Sequence, residues 1–275
     1  MAHRRLLQLL GIGLGTALFA WMAARMPFAP LRERAAALPA WSWLGAALGL
    51  AASHALRAAR LHAEWSARCG ARYGECLRIG LVHTAWASLL PLRSGELSYA
   101  WLLHRRFGVS LLDAGKSLLR LRLQDVVVLC VLALLWLAPT VPALRVLAAM
   151  ALLAGALLVL RGSGATWVYG ASNWMLKLLV IAALLSQLAG LPVAPALAGA
   201  LAGELAAVLP LQAPAGIGSY EGGVWLGAGG WPHGADAGVL FGAALVVHAL
   251  LLAVSCAGAL LASAWPQRVR GALSP

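Results

Sequence analysis

Charge is scarce in this chain. Only 11% of its 275 residues are Asp, Glu, Lys or Arg, too few to coat a soluble domain of that length. Acid is scarcer still, with nine Asp and Glu against 21 Lys and Arg. The four cysteines form no CxxC pair and no zinc spacing. Cys69 and Cys76 share a basic stretch with His62 and His83, but that spacing fits no metal-site type. Cys130 and Cys256 lie in apolar runs and read as small core residues. A Walker A loop, an HExxH helix and a Ser-centred nucleophile elbow are all missing. No metal or cofactor is expected, and no nucleic-acid partner, because no basic patch interleaved with aromatics appears outside the loops.

What the chain has in abundance is hydrophobic residues, 62% of the total. They come in long runs without a polar face, and a helix that is apolar all round lies in a large core or in lipid. The chain therefore reads as an all-α polytopic membrane protein, one integral membrane domain over 1–275. A spanning helix needs about 20 mostly apolar residues. The runs 6–24, 39–56, 117–138, 144–160, 173–190 and 238–263 qualify. The first has a positive start like a signal peptide, but it is long and lacks a cleavage site, so it reads as a span. Two further runs, 79–103 and 194–232, are broken by Pro, Gly and charge. The expectation is about six spanning helices plus two re-entrant segments.

Lys and Arg set the orientation. With both interrupted segments entering and leaving on one side, sixteen of the 21 fall on or near the cytoplasmic face. Arg25, Arg32, Arg34 and Arg145 fall outside, and Arg93 lies within a segment. This places both termini in the cytoplasm and the chain in the cytoplasmic (inner) membrane. Between the second span and the first interrupted segment, Arg57, Arg60, Glu64 and Arg68 recur at helical spacing. That stretch reads either as an interfacial helix or as a solvated linker whose charges set topology.

The interrupted segments resemble each other. One reads "LLPLRSGELSYAW" and the other "VLPLQAPAGIGSYEGGVW". Pro91 matches Pro210, Gly95 matches Gly218, and Glu96 matches Glu221, with Pro214 added in the second copy. Two spans precede each segment and one follows, so the halves 1–140 and 141–265 read as an inverted repeat. Broken segments at matching places in two halves point to a site near the bilayer midplane.

Ionisable groups in lipid cost about 2.5–3.5 kcal/mol each, so they need partners or a purpose. Glu96, Asp125, Glu204 and Glu221 lie in or beside apolar segments, as do Arg93, Arg120 and Arg122. Arg122 and Asp125 share a helix face. Two readings fit. In one, Pro91 and Gly95 open a helix end that favours an anion, Arg93 and Arg122 grip a phosphate, and Glu96, Asp125 and Glu221 balance charge or carry protons. Gly216 and Gly218 then let the second loop approach closely. In the other, the same groups lock the segment as a structural network. His83 opens the first interrupted segment and is the strongest histidine candidate, whereas His54 and His248 read as core or pore-lining.

These residues resemble the flippase-like family, best known as the transmembrane region of lysylphosphatidylglycerol synthases. The shared pattern is Pro91, Arg93, Gly95 and Glu96; then Arg105, Arg106 and Gly108; then Arg122 and Asp125; then Pro214, Gly216, Gly218 and Glu221. The resemblance runs from about residue 40 to 263. Tyr99, Leu121 and Tyr220 stand where that family often carries Arg, Glu and Arg. It does not extend to the soluble aminoacyl-transferase domain of the synthases. It implies handling or translocation of a lipid, with a phosphate-bearing headgroup as ligand. Two other classes remain open. One is a membrane lipid phosphatase or transferase, for which Ser88, Ser94 and Ser219 are the nearby hydroxyls. The other is a non-transporting partner module of an envelope-lipid enzyme.

Overall fold

The breaks near residues 91–96 and 214–218 organise the chain. The computed structural model describes residues 28–137, 146–147, 149–151, 154–155, 164–208, 214–229 and 237–264, without the side chains of 28, 30, 31, 91–93, 137 and 214. Among the described residues the structure is all-α, with no strand. The first half holds α1 (Phe28–Ala37), α2 (Ala40–Cys69), α3 (Tyr73–Leu89), α4 (Leu97–Phe107) and α5 (Leu111–Leu137). The second holds α6 (Gly164–Ala189), α7 (Val193–Val208), α8 (Ser219–Gly227) and α9 (Ala237–Ala264). A tight 3-10 turn, Pro91–Glu96, joins α3 to α4, and a second, Pro214–Gly216, precedes α8.

Two helices, α6 and α9, are long and apolar enough to cross a membrane. The expected span at 6–24 lies outside the described residues, as does most of 144–160. Two others run further than their composition implied. Helix α2 continues to Cys69, about 45 Å of helix at 1.5 Å per residue, and α6 begins at Gly164. The charged stretch from Arg57 to Arg68 is thus the second half of α2, neither a linker nor a separate helix. Arg60 and Glu64 on it are buried. They face α5, where Leu61 and Trp65 join Tyr99, Leu103, Ala114 and Leu121 in one apolar cluster.

Helices α2 and α6 pack antiparallel. The Ser42 hydroxyl donates to Gln187 Oε1 at 2.8 Å near one end. In the middle the Ser53 hydroxyl donates to Asn173 Oδ1 at 2.6 Å. At the other end the Arg60 guanidinium lies against Gly170. Both helices end the same way. Gly70 (φ 63) and Gly190 (φ 68) take the left-handed conformation that a Cβ disfavours, and the next helix starts three residues later. The two ends are 120 residues apart, the same separation as Ser53 and Asn173. Residues that correspond in the two halves therefore touch each other at that point.

The other contacts repeat in kind. Helix α3 packs on α2 as α7 packs on α6; α4 packs on α5 as α8 packs on α9; α9 lies against α3 as α5 lies against α7. The two 3-10 turns touch each other. In the second hairpin small residues allow near-backbone contact between α7 and α8. A Cβ added to Gly227 would stand 2.4 Å from the Ala198 carbonyl oxygen, and one on Gly223 2.7 Å from that of Ala202. Gly227→Val is therefore expected to destabilise the protein by about 1–3 kcal/mol. Gly222→Ala meets open space and is expected to leave thermal melting of the purified protein unchanged or slightly raised.

Large apolar side chains also point away from the packed interior. Leu119 and Leu123 on α5, Val168, Met175 and Leu179 on α6, and Leu260 and Leu261 on α9 are all more than half exposed except Met175, which is 47% exposed.

Candidate functional site

A polar cavity of about 140 Å³ lies where the second turn meets α2, α3, α6, α7 and α9. Ser53, His54 and Arg57 of α2 line it, with Thr84 and Ser88 of α3, Arg122 of α5, and Trp174 and Lys177 of α6. Glu204 of α7, Gly216, Tyr220, and His248 and Ser255 of α9 add to the polar part of the wall. A smaller cavity of about 60 Å³ adjoins it on Arg57, Thr84 and Arg122, and reaches His83, Tyr99, Arg60 and Asp125. Among its described lining residues the larger cavity thus has three fixed cations, Arg57, Arg122 and Lys177, against one carboxylate, Glu204.

The first turn is seated by packing. A Cβ on Gly95 would fall 2.0 Å from the Trp86 carbonyl oxygen, so the turn lies backbone against backbone on α3. This carries Glu96 to Arg122, whose Nη2 and Nε lie 3.0 and 3.3 Å from the two carboxylate oxygens. The expected Arg122–Asp125 contact is present at 3.5 Å. Asp125 has a stronger partner that spacing did not reveal: Arg60 Nη1 donates to its Oδ1 at 2.5 Å. Arg60 also donates to Gln124 Oε1 at 2.8 Å and to the Leu121 carbonyl at 2.9 Å, and Trp174 Nε1 donates to Asp125 at 3.0 Å. A buried charge is tolerable when it is paired, and of the Arg60 nitrogens Nε is left buried without a partner among the described residues.

The second turn is built differently. Gly218 N–H donates to Glu221 Oε2 at 2.7 Å, and His248 Nδ1 lies 2.7 Å from Glu221 Oε1. Glu221 is fully buried beside Tyr220 and His248, whose ring centroids lie 4.5 Å apart with the planes tilted by 38°. Its carboxylate and the Gly218 N–H are engaged with each other, so neither faces the cavity. Among the described residues the buried Tyr220 hydroxyl has no hydrogen-bond partner. Lys177 Nζ donates to Glu204 Oε2 at 2.7 Å and sits over the Trp174 ring.

Of the residues singled out by sequence, Glu96, Arg122 and Asp125 are brought together, and Gly216 stands on the cavity wall. Pro91 and Pro214 open the two turns. The Arg93 side chain and all of Pro210 lie outside the described residues. Gly95 fills a packing contact against the backbone of α3. His83 bonds Ser98 at 3.0 Å and lines the smaller cavity. The arginine pair of the family pattern lies elsewhere: Arg106 joins Glu75 at 2.5 Å, and Arg105 sits over Trp101. Glu64 holds Arg120 and accepts from Ser117 at 3.1 Å, away from the larger cavity. Sequence reasoning missed Arg57, Arg60 and Lys177, which it took for charges of the cytoplasmic face.

No family model matches this chain, and no curated protein matches it.

Proposed function

We propose that this chain is a flippase-like integral membrane protein of the cytoplasmic membrane that passes a lipid headgroup through the cavity between its two hairpins. Each hairpin enters the bilayer part-way, the first from the cytoplasm and the second from the opposite face, as halves of an inverted repeat. Several observations support this reading. The symmetry-related helices α2 and α6 run antiparallel, so the helices that follow them start at opposite ends. Glu96 pairs with a partner 26 residues on, and Glu221 with one 27 residues on. The exposed leucines of α5, α6 and α9 suit contact with acyl chains. Non-helical backbone within a bilayer is tolerated where it is buried or lines water, and Ala215 and Gly216 of the second turn line the cavity.

The observation that carries the functional reading is the cavity wall, with three cations and one carboxylate among its described residues, inside a chain that is 62% hydrophobic. Such a wall favours an anionic or phosphate-bearing group over a neutral one. The test is lipid movement in proteoliposomes carrying a headgroup-labelled phosphatidylglycerol, followed by quenching of the outer leaflet. Wild-type protein is expected to expose inner-leaflet lipid well above protein-free liposomes. Arg57 makes no ion pair with another described residue, so Arg57→Gln strands no carboxylate among them, and this variant is expected to slow the movement by about tenfold or more. Wild-type vesicles that behave like empty ones would remove the proposal.

A further inference from the structure

The two halves differ at one place that the cavity makes visible. With the 120-residue correspondence fixed by Gly70 and Gly190, by Ser53 and Asn173, and by the starts of α3 and α7, Arg57 corresponds to Lys177. Both line the larger cavity, one turn beyond the serine–asparagine contact on their own helices. On the next helix Thr84 corresponds to Glu204, and both of these line it too. Lys177 has Glu204 at 2.7 Å. Arg57, in the matching position, has no ion pair or hydrogen bond to another described residue, and a threonine stands where the carboxylate would be.

We infer that Arg57 and Thr84 hold the phosphate of the ligand, whose anionic oxygens take the place in the first half that the Glu204 carboxylate takes in the second. The inference rests on the headgroup-carrying reading above and names its contact residues. A cationic guanidinium matches two phosphate oxygens with parallel donors. A threonine hydroxyl adds a donor without adding charge. The unpartnered Tyr220 hydroxyl, buried on the wall of the same cavity, gives the ligand a further polar contact, since buried hydroxyls left unpaired are costly. Glu204 then acts as a built-in competitor. It satisfies Lys177 in the protein as it stands, so a single phosphate is drawn to the Arg57 side. By the same correspondence, the second half would become an equivalent site once Glu204 lost its charge.

This makes opposite demands on two matched positions. Thr84→Glu gives Arg57 the partner that Lys177 already has, and should exclude the ligand. Glu204→Gln frees Lys177, and should strengthen binding. The probes are inorganic phosphate and dihexanoyl phosphatidylglycerol, titrated against the purified full chain in detergent, with Thr84→Gln as the uncharged control of similar size. Thr84→Glu is expected to weaken binding at least tenfold, Thr84→Gln, which loses the hydroxyl donor but brings no competing charge, to weaken it by a smaller factor of about three, and Glu204→Gln to tighten it about threefold or more. Tighter binding of the phosphatidylglycerol assigns the site to a lipid headgroup, and tighter binding of the free ion assigns it to phosphate itself. Should Thr84→Glu not fold, Arg57→Gln replaces it, with the same loss expected. Wild-type affinity in the charged variant, or in Arg57→Gln, overturns the inference while leaving lipid movement by the wild type untouched. A wild type that neither binds either probe nor moves lipid overturns the broader reading as well.

Discussion

Asp125→Ala is expected to destabilise the protein by about 3–5 kcal/mol, as removal of one partner from a buried ion pair commonly does. Asp125 is 6% exposed and Arg60 is 7% exposed. Without the carboxylate, Arg60 keeps only the neutral acceptors of Gln124 and Leu121, and the Trp174 indole N–H loses its acceptor. Arg122 keeps Glu96, so the first turn should remain seated while the α2–α5 contact fails. The double replacement Arg60→Met, Asp125→Leu removes both charges and fills similar volume. It is expected to recover most of the loss, since apolar substitutes for a buried pair are often neutral. Thermal melting of the detergent-solubilised variants measures both. A double variant as unstable as the single one would show that the pair's geometry, rather than the orphaned charge, carries the effect.

The second large effect is expected at Gly95. A Cβ there would lie 2.0 Å from the Trp86 carbonyl oxygen, 2.3 Å from its carbon and 2.6 Å from the Ala87 nitrogen. All three are backbone atoms of α3, so no side chain can swing aside. Gly95→Ala must push the first turn off the helix, at a cost of about 3 kcal/mol, the upper end of ordinary overpacking. The turn carries Glu96, so its displacement breaks the fork to Arg122 and frees a guanidinium that lines both cavities. Loss of melting temperature should therefore come with altered phosphate binding. Gly80→Ala is the matched control, because its Cβ meets nothing within 4 Å. Equal behaviour of the two variants would refute the seating of the turn.

The places where the chain breaks were legible in the sequence, because Pro91, Gly95, Pro214 and Gly218 have no reason to sit in an uninterrupted apolar helix. The Arg122–Asp125 contact followed from spacing alone. Arg57, Arg60 and Lys177 were read only as charges that set orientation, without their cavity or ion-pair contacts, and the reason is physical. Charges at every third or fourth position mark a helix face that avoids lipid, and they do so equally for an interfacial helix and for one facing a buried acid. Asp125 lies 65 residues from Arg60, beyond any local pattern. Hydropathy also ended α2 at residue 56 and began α6 at residue 173, whereas packing carries them to Cys69 and back to Gly164. That shift moves Arg57 and Lys177 from helix ends into helix interiors. One sequence signal could have found them: the Gly70 and Gly190 helix stops align the halves at 120 residues and pair Arg57 with Lys177 directly. The letter match of the interrupted segments alone, with its unequal loops, does not fix that register.

The central claim is that the two hairpins enter from opposite faces and meet at a wet, basic cavity. Gly74 and Ala194 occupy matching exposed positions at the starts of α3 and α7. The direct measurement places a single cysteine at each in turn, with Cys69, Cys76, Cys130 and Cys256 replaced, and labels intact cells and inverted vesicles with a membrane-impermeant thiol reagent. Gly74→Cys should react only from the cytoplasmic side and Ala194→Cys only from the other. Labelling of both from the same side would contradict the inverted arrangement and the carrier reading that depends on it.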